Sequence, residues 1–241
     1  MKKYILNVVI ALLFFSAQAQ EVQDNEGGVW FTAINKFKIS DRVSVVNVAQ
    51  WRFVEQMKYT RIFLVMPFIN YKFSNRVSVG VGYNYSNYSL AGIYPPSLDY
   101  ENRIWQHVTL YSDLGKVRMN QRFMFEERFK TRLNKDEVYS NRLRYRMNFD
   151  FNILRFKNNK YLLGNVSEEI RIRFSKGISN PNFDQNNFII SFGYPLLDNS
   201  KLYVGYRHDY YNAGNGVYWG DHIFNVVYTY NFDFTKKKFY K

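Results

Sequence analysis

The sequence contains no cysteine. That excludes a disulfide framework, thiolate zinc sites, a cysteine nucleophile and a lipid-bearing cysteine at an export cleavage site. Long apolar runs are missing too. The best internal candidate, Ile62–Met66, is cut by Pro67, whereas a membrane-crossing helix needs about 20 apolar residues. The Leu- and Ala-rich composition of helical proteins is absent, and mean hydropathy is −0.39. Acidic residues are the minority, 20 against 33 Lys and Arg, for a formal charge of +13. A basic balance points to anionic partners, among them nucleic acid, lipid phosphates and small anionic solutes. No nucleic-acid recognition motif is present, and the arginines follow strand periodicity, so nucleic acid is not expected as a partner.

What the chain has in excess is aromatic residues, 20% of the total, with 22 Phe and 21 Tyr. Tyrosine suits strands and membrane interfaces, where one end of the ring is apolar and the other wet. Residues 1–19 read as a secretory signal, with basic Lys2 and Lys3, an apolar stretch Tyr4–Phe15 and a small-x-small cleavage site Ala17-Gln18-Ala19. The expected organisation is therefore a signal peptide over 1–19 and one barrel domain over 20–241.

Periodicity carries most of the information. In Lys116–Asp150, Arg118, Asn120, Arg122, Met124, Glu126 and Arg128 alternate with Val117, Met119, Gln121, Phe123, Phe125, Glu127 and Phe129. After a break at Leu133–Val138, Tyr139, Leu143, Tyr145, Met147 and Phe149 alternate with Ser140, Arg142, Arg144, Arg146, Asn148 and Asp150. Successive side chains of a strand point to opposite faces. These are two strands, each with an aromatic-aliphatic face and an arginine face. Val77–Ser86, Tyr161–Phe174, Asn186–Pro195, Lys201–Tyr211 and Asp221–Phe234 repeat the pattern, and Val29–Lys38, Val43–Phe53 and Arg103–Tyr111 also read as strands. Tyr59–Phe73 is apolar on both faces, so its orientation is ambiguous; Pro67 predicts a bulge or interruption there.

About eleven such segments of roughly ten residues have the length and period of tilted membrane strands. Connections after Lys38, Phe73, Tyr111 and Pro195 are short, while Asn87–Asn102, Ser175–Gln185 and Asn212–Gly220 read as long loops. Short turns on one rim and long loops on the other mark an outer-membrane barrel. The expected fold is all-β, an antiparallel transmembrane up-and-down β-barrel of about 10–12 strands. Eleven conflicts with the even strand numbers of bacterial single-chain barrels: either the weak first strand does not complete a span, giving ten, or Tyr59–Phe73 hides another strand, giving twelve, so a range of ten to twelve is expected. A soluble β-sandwich is the competing reading of the same pattern.

The order of motifs resembles an uncharacterised outer-membrane family known as domain of unknown function 2490. The resemblance rests on Gly28-Val29-Trp30, Gly80-Val81-Gly82-Tyr83 and Glu101-Asn102-Arg103-Ile104-Trp105-Gln106. It continues through Arg122-x-x-x-Glu126-x-Arg128, Arg142-x-Arg144-Tyr145-Arg146 and Asp221-His222-x-x-Asn225…Tyr228-x-Tyr230-Asn231-Phe232. The resemblance implies a barrel in the outer membrane and no established activity, so it supplies no catalytic residues.

The polar faces of the arginine strands bring Arg118, Arg122, Glu126, Arg128, Arg142, Arg144, Arg146, Asp150, Glu169, Arg171 and Arg173 onto one interior patch. As a plug, Glu126 and Glu169 bridge flanking guanidiniums; as a pathway, the surplus positive charge passes small anions. The expected function is a structural outer-membrane barrel or a narrow anion pathway, with outer-membrane lipid and small anionic solutes as partners and a monomeric state. The alternative is an outer-membrane lipid hydrolase or lipid-modifying enzyme with His107 as base. No nucleophile elbow, metal-binding His pair or phosphate loop appears, so no catalytic, metal or cofactor residue is assigned. Glu126-Glu127 and Glu168-Glu169 are adjacent doublets, which alternation splits between faces; Glu127 and Glu168 are expected to point outward. Tyr88, Tyr94, Tyr100, Phe183, Tyr218 and Trp219 are expected in or beside the long loops, as an aromatic girdle or a ligand surface.

Overall fold

The computed structural model describes residues 22–24, 27–55, 57–89, 98–132, 135–174, 182–214 and 216–235. The proposed signal peptide and Tyr94 lie outside them. Among the described residues there is no helix; every regular element is a strand. These are β1 (Val22–Asp24), β2 (Gly28–Lys38), β3 (Val43–Val54), β4 (Tyr59–Lys72), β5 (Val77–Ser89), β6 (Leu98–Leu114), β7 (Val117–Arg132), β8 (Lys135–Arg155), β9 (Tyr161–Phe174), β10 (Asn182–Leu197), β11 (Ser200–Gly214) and β12 (Val217–Asp233).

Each strand from β2 to β12 pairs antiparallel with its sequence neighbour, and β12 returns to pair with β2. The wall thus has eleven strands. An odd count forces the seam: every hairpin reverses direction, so the first and last strands run the same way and close in parallel. That seam runs from Ile223 opposite Gly28 to Asp233 opposite Lys38, and β1 extends it, pairing Val22–Asp24 with Tyr218–Gly220. Eleven lies within the expected range of ten to twelve, and neither adjustment toward an even number applies: β2 is a full strand of the wall, and Tyr59–Lys72 is one strand.

β4 passes through Pro67 without a change of register. Asn47 opposes Pro67 on the β3 side. On the β5 side, pairing stops after Val65–Tyr85 and resumes at Phe68–Gly82. Proline has no N–H to give a ladder, so the interruption falls on one neighbour only.

The strands are longer than the apolar segments seen in sequence. β8 alone has 21 residues. The break at Leu133–Val138 is narrower than its pattern, since β7 reaches Arg132 and Lys135–Val138 belong to β8. Most of Asn212–Gly220 is likewise strand: β11 runs to Gly214 and β12 starts at Val217. Strand also claims the ends of the other two expected loops: β5 runs to Ser89, β6 starts at Leu98 and β10 starts at Asn182. On the opposite rim, two-residue turns follow Leu114 and Leu197. Gly115 takes φ +67° in the first of them, a conformation that costs glycine little.

Inward positions form two unlike halves. On the β2–β5 side the buried residues are uncharged, apolar Trp30, Val46, Val54, Ile62 and Leu64 beside polar Thr32, Ser44, Ser78, Asn84 and Ser86. Gly80 and Gly82 face the lumen because His107 and Trp105 lie flat against them; a Cβ on Gly82 would sit 2.5 Å from the Trp105 ring. On the β6–β9 side the lumen is charged. Outward positions carry large exposed apolar residues all around the wall, among them Trp51, Ile69, Val81, Ile104, Phe123, Leu143, Ile190, Phe192 and Phe224.

Aromatics cluster on the outer face near both ends. Near the short-turn rim Phe37 stacks on Phe232 at 4.8 Å, and Tyr230 meets Phe232 at 4.4 Å. Near the other rim Phe129 meets Tyr139 at 5.1 Å, and Tyr210 stacks on Tyr218 at 5.3 Å with Phe183 alongside. Phe183 and Tyr218 are therefore strand residues of the outer face, not loop residues. Tyr100 is exposed on β6, whereas Tyr88 turns inward and donates its hydroxyl to Glu101 at 2.7 Å. Trp219 meets Tyr211 edge to face at 6.0 Å. The outward carboxylates have partners: Tyr139 donates to Glu127 at 3.4 Å and Asn186 to Glu168 at 3.0 Å.

Candidate functional site

The charged half of the lumen is organised by cross-strand rows. Because β6 to β9 pair in regular register, arginines meet arginines directly across the ladder. Arg103 opposes Arg128, Arg122 opposes Arg146, and on the β8–β9 ladder Arg142 opposes Arg173 and Arg144 opposes Arg171. Like charges directly opposite each other destabilise a sheet, so each pair needs an anion between its members.

Three of the four pairs have one. Glu101 bridges Arg103, whose Nε donates at 2.7 Å, and Arg128. Asp184 bridges Arg142 at 2.9 Å and Arg173 at 3.0 Å. Glu169 bridges Arg144 at 2.6 Å and Arg171 at 2.8 Å. Glu126 ties rows together, accepting from Arg142 and Arg144, each at 2.6 Å. These are short, charge-assisted bonds of the forked kind that guanidinium geometry favours. The carboxylates are shut away from solvent: Glu101 is 0% exposed and Glu126 1%. Buried charges of this sort persist only when paired and hydrogen-bonded.

Nine of the eleven residues expected on the interior patch belong to this lattice or line the chamber beside it. Arg118 does not: it is exposed at the short-turn end, with its guanidinium 5.9 Å from the Tyr111 ring. Asp150 sits in a separate amide layer, accepting from Asn148 at 2.8 Å and Asn165 at 2.7 Å. Several partners were not legible in the sequence. Glu101 and Asp184 had been read as loop residues. Arg207 pairs with Asp209 at 2.6 Å, and Arg61 reaches across the lumen to Asp221 at 3.2 Å. Arg52 and Arg207 lie over the Trp30 ring at 3.8 and 4.3 Å. The i, i+2 spacing of Glu101/Arg103 and Arg207/Asp209 is the signal that could have found them, since such pairs share a face.

A chamber of about 90 Å³ lies inside the barrel against this lattice, lined by Arg122, Arg144, Arg146, Ser167, Glu169, Arg171, Asn187, Ile189 and Arg207. His107 stacks on Trp105 at 5.5 Å and shares a hydrogen bond of 3.3 Å with Asn70. An acyl-transfer base needs a hydroxyl or thiol nucleophile at that ring nitrogen, and Asn70 offers neither. His208 and His222 face outward as a cross-strand pair, rings 5.1 Å apart. Among the described residues no group of His, Asp and Glu is arranged to hold a metal ion.

No curated protein and no solved structure matches the chain. One family model does, over residues 27–219, from β2 into β12; its description is protein of unknown function, DUF2490. The chain belongs to that family, now seen here as a closed eleven-stranded barrel.

Proposed function

We propose that this barrel resides in the outer membrane and that its own arginine–carboxylate lattice closes the lumen, so that its role is structural rather than that of an open pore. The observation that carries the reading is the outer wall. Exposed apolar side chains circle it, where a water-soluble barrel would present polar ones. The aromatic clusters flank that band. From Tyr218 to Tyr230 on β12 the chain rises about 40 Å along the strand, or about 30 Å of height at a tilt near 40°, enough to hold a membrane barrel's apolar band of about 25 Å between the two aromatic clusters. Lys2, Lys3 and the apolar stretch after them support export by a signal peptide.

The lattice supports closure. A barrel of this size can be filled by its side chains, and buried Trp105, Met124, Glu101 and Glu126 occupy the lumen from one side.

Cell fractionation tests the location. The full chain expressed with its own amino terminus is expected in the outer-membrane fraction, migrating faster on a gel when unboiled than when boiled. Recovery from the soluble periplasmic fraction, without that heat-dependent shift, would overturn the proposal.

A further inference from the structure

We infer that the chamber beside Arg122 and Arg146 is a binding site for a small inorganic oxyanion of the phosphate or sulfate class, which takes the place of the bridging carboxylate this one arginine pair lacks. The inference stands on the interior alone and does not rest on the membrane location proposed above.

Four arginine pairs face each other across β6–β9. Three are bridged by Glu101, Asp184 and Glu169. For the fourth, Asp150, whose charge reaches Arg146, is held by Asn148 and Asn165, and Glu169, opposite Arg146 across β8–β9, has both oxygens already engaged. Oε2 accepts from Arg122 at 2.9 Å, while Oε1 accepts from both Arg144 and Arg171. Arg146 is left over: among the described residues it forms no hydrogen bond or ion pair, and its Nε is buried without a partner. Arg122 Nε is buried without a partner as well. Buried donors in that state cost stability, and charged ones the most.

The space is where the charge is. Both members of the unbridged pair line the chamber, and Arg144, Arg171 and Arg207 close around it. Glu126, Glu169 and Asp209 compensate three of these five guanidiniums, which leaves a surplus of two positive charges. The volume of about 90 Å³ is several times the about 10–15 Å³ that one water needs. A tetrahedral oxyanion fits that space. Forked guanidiniums bind such an anion through paired N–H donors, and Ser167 adds a hydroxyl to the lining.

The test is equilibrium dialysis of the purified full-length protein, refolded in detergent and stripped of oxyanions, against labelled inorganic phosphate. Saturable binding approaching one phosphate per barrel is expected. Unlabelled sulfate should compete, and chloride at the same concentration should not. Arg146→Gln should weaken binding about tenfold or more, the worth of a hydrogen bond to a charged group. Arg118→Gln, at the exposed rim, should leave it unchanged. Ser167→Asp places a carboxylate inside the chamber; it should abolish phosphate binding while melting no lower than the natural protein. Absence of saturable binding, equal competition by chloride, or binding unchanged by Arg146→Gln would overturn the inference. Should Arg146→Gln fail to give folded barrel, Ser167→Asp decides alone, and phosphate binding retained in it refutes the site.

Discussion

Glu126→Gln is expected to cost about 3–5 kcal/mol of folding free energy, the range for breaking a buried ion pair by removing one partner. The amide keeps the shape of the side chain but removes its charge. Arg142, which is 3% exposed, and Arg144 would then keep only the partners they share with other rows, Asp184 and Glu169. Arg142 and Arg144 also stand opposite Arg173 and Arg171, so their mutual repulsion is no longer offset on the Glu126 side. Urea titration of the refolded protein in lipid vesicles, read by tryptophan fluorescence, measures the loss; Trp105 opposes Glu126 across the β6–β7 ladder and reports locally. Replacing Arg142 by Met at the same time should recover part of the loss, because it removes one of the charges left uncompensated. A single substitution costing under about 1 kcal/mol, the range of exposed pairs, would show that the lattice is solvated rather than sealed.

The second large effect belongs to the outer wall. Ile190 lies near the middle of β10, 40% exposed, with Phe188 and Phe192 as its outward neighbours on the same strand. Ile190→Arg should cost about 2–4 kcal/mol in lipid vesicles, the price of a cation on the lipid face near mid-depth. In water the same change at so exposed a position would fall within about ±0.5 kcal/mol. The substitution therefore separates a lipid-facing wall from a water-facing one. A neutral result in the vesicle-bound protein would place the band outside the bilayer.

Much of this architecture was legible because two faces of a strand were chemically unlike. β7, β8 and β9 alternate arginine with aromatic so strictly that both their face assignment and the bridging by Glu126 and Glu169 could be read directly. Legibility failed wherever that contrast vanished. In Tyr59–Phe73 both faces are apolar, because β4 also turns Ile62 and Leu64 inward, where both are buried. Beyond the apolar band both faces are polar, so Asn212–Gly220 and the segments holding Glu101 and Asp184 looked like loops although they are strand. Two of the lattice's four bridging acids were hidden in that way.

Face and height are also different quantities. Arg118 shares a face with Arg122 and Glu126, but at about 3.3 Å per residue it sits at the strand's end, outside the lattice. Strand parity was the least accessible property. The parallel seam joins residues almost two hundred positions apart, and nothing in either strand's own pattern marks which direction its partner runs. The segment count of about eleven was right, and the even-number rule pulled it only toward ten or twelve.

The central claim is that side-chain charge pairs close the lumen. Recording ion current across a planar bilayer containing the inserted, heat-modifiable protein tests it most directly. The expected result is a silent bilayer for the natural protein, with current steps appearing in Glu126→Gln as the lattice loosens. Stable, ion-selective steps from the natural protein would contradict closure and make the arginine rows the lining of an open anion pathway.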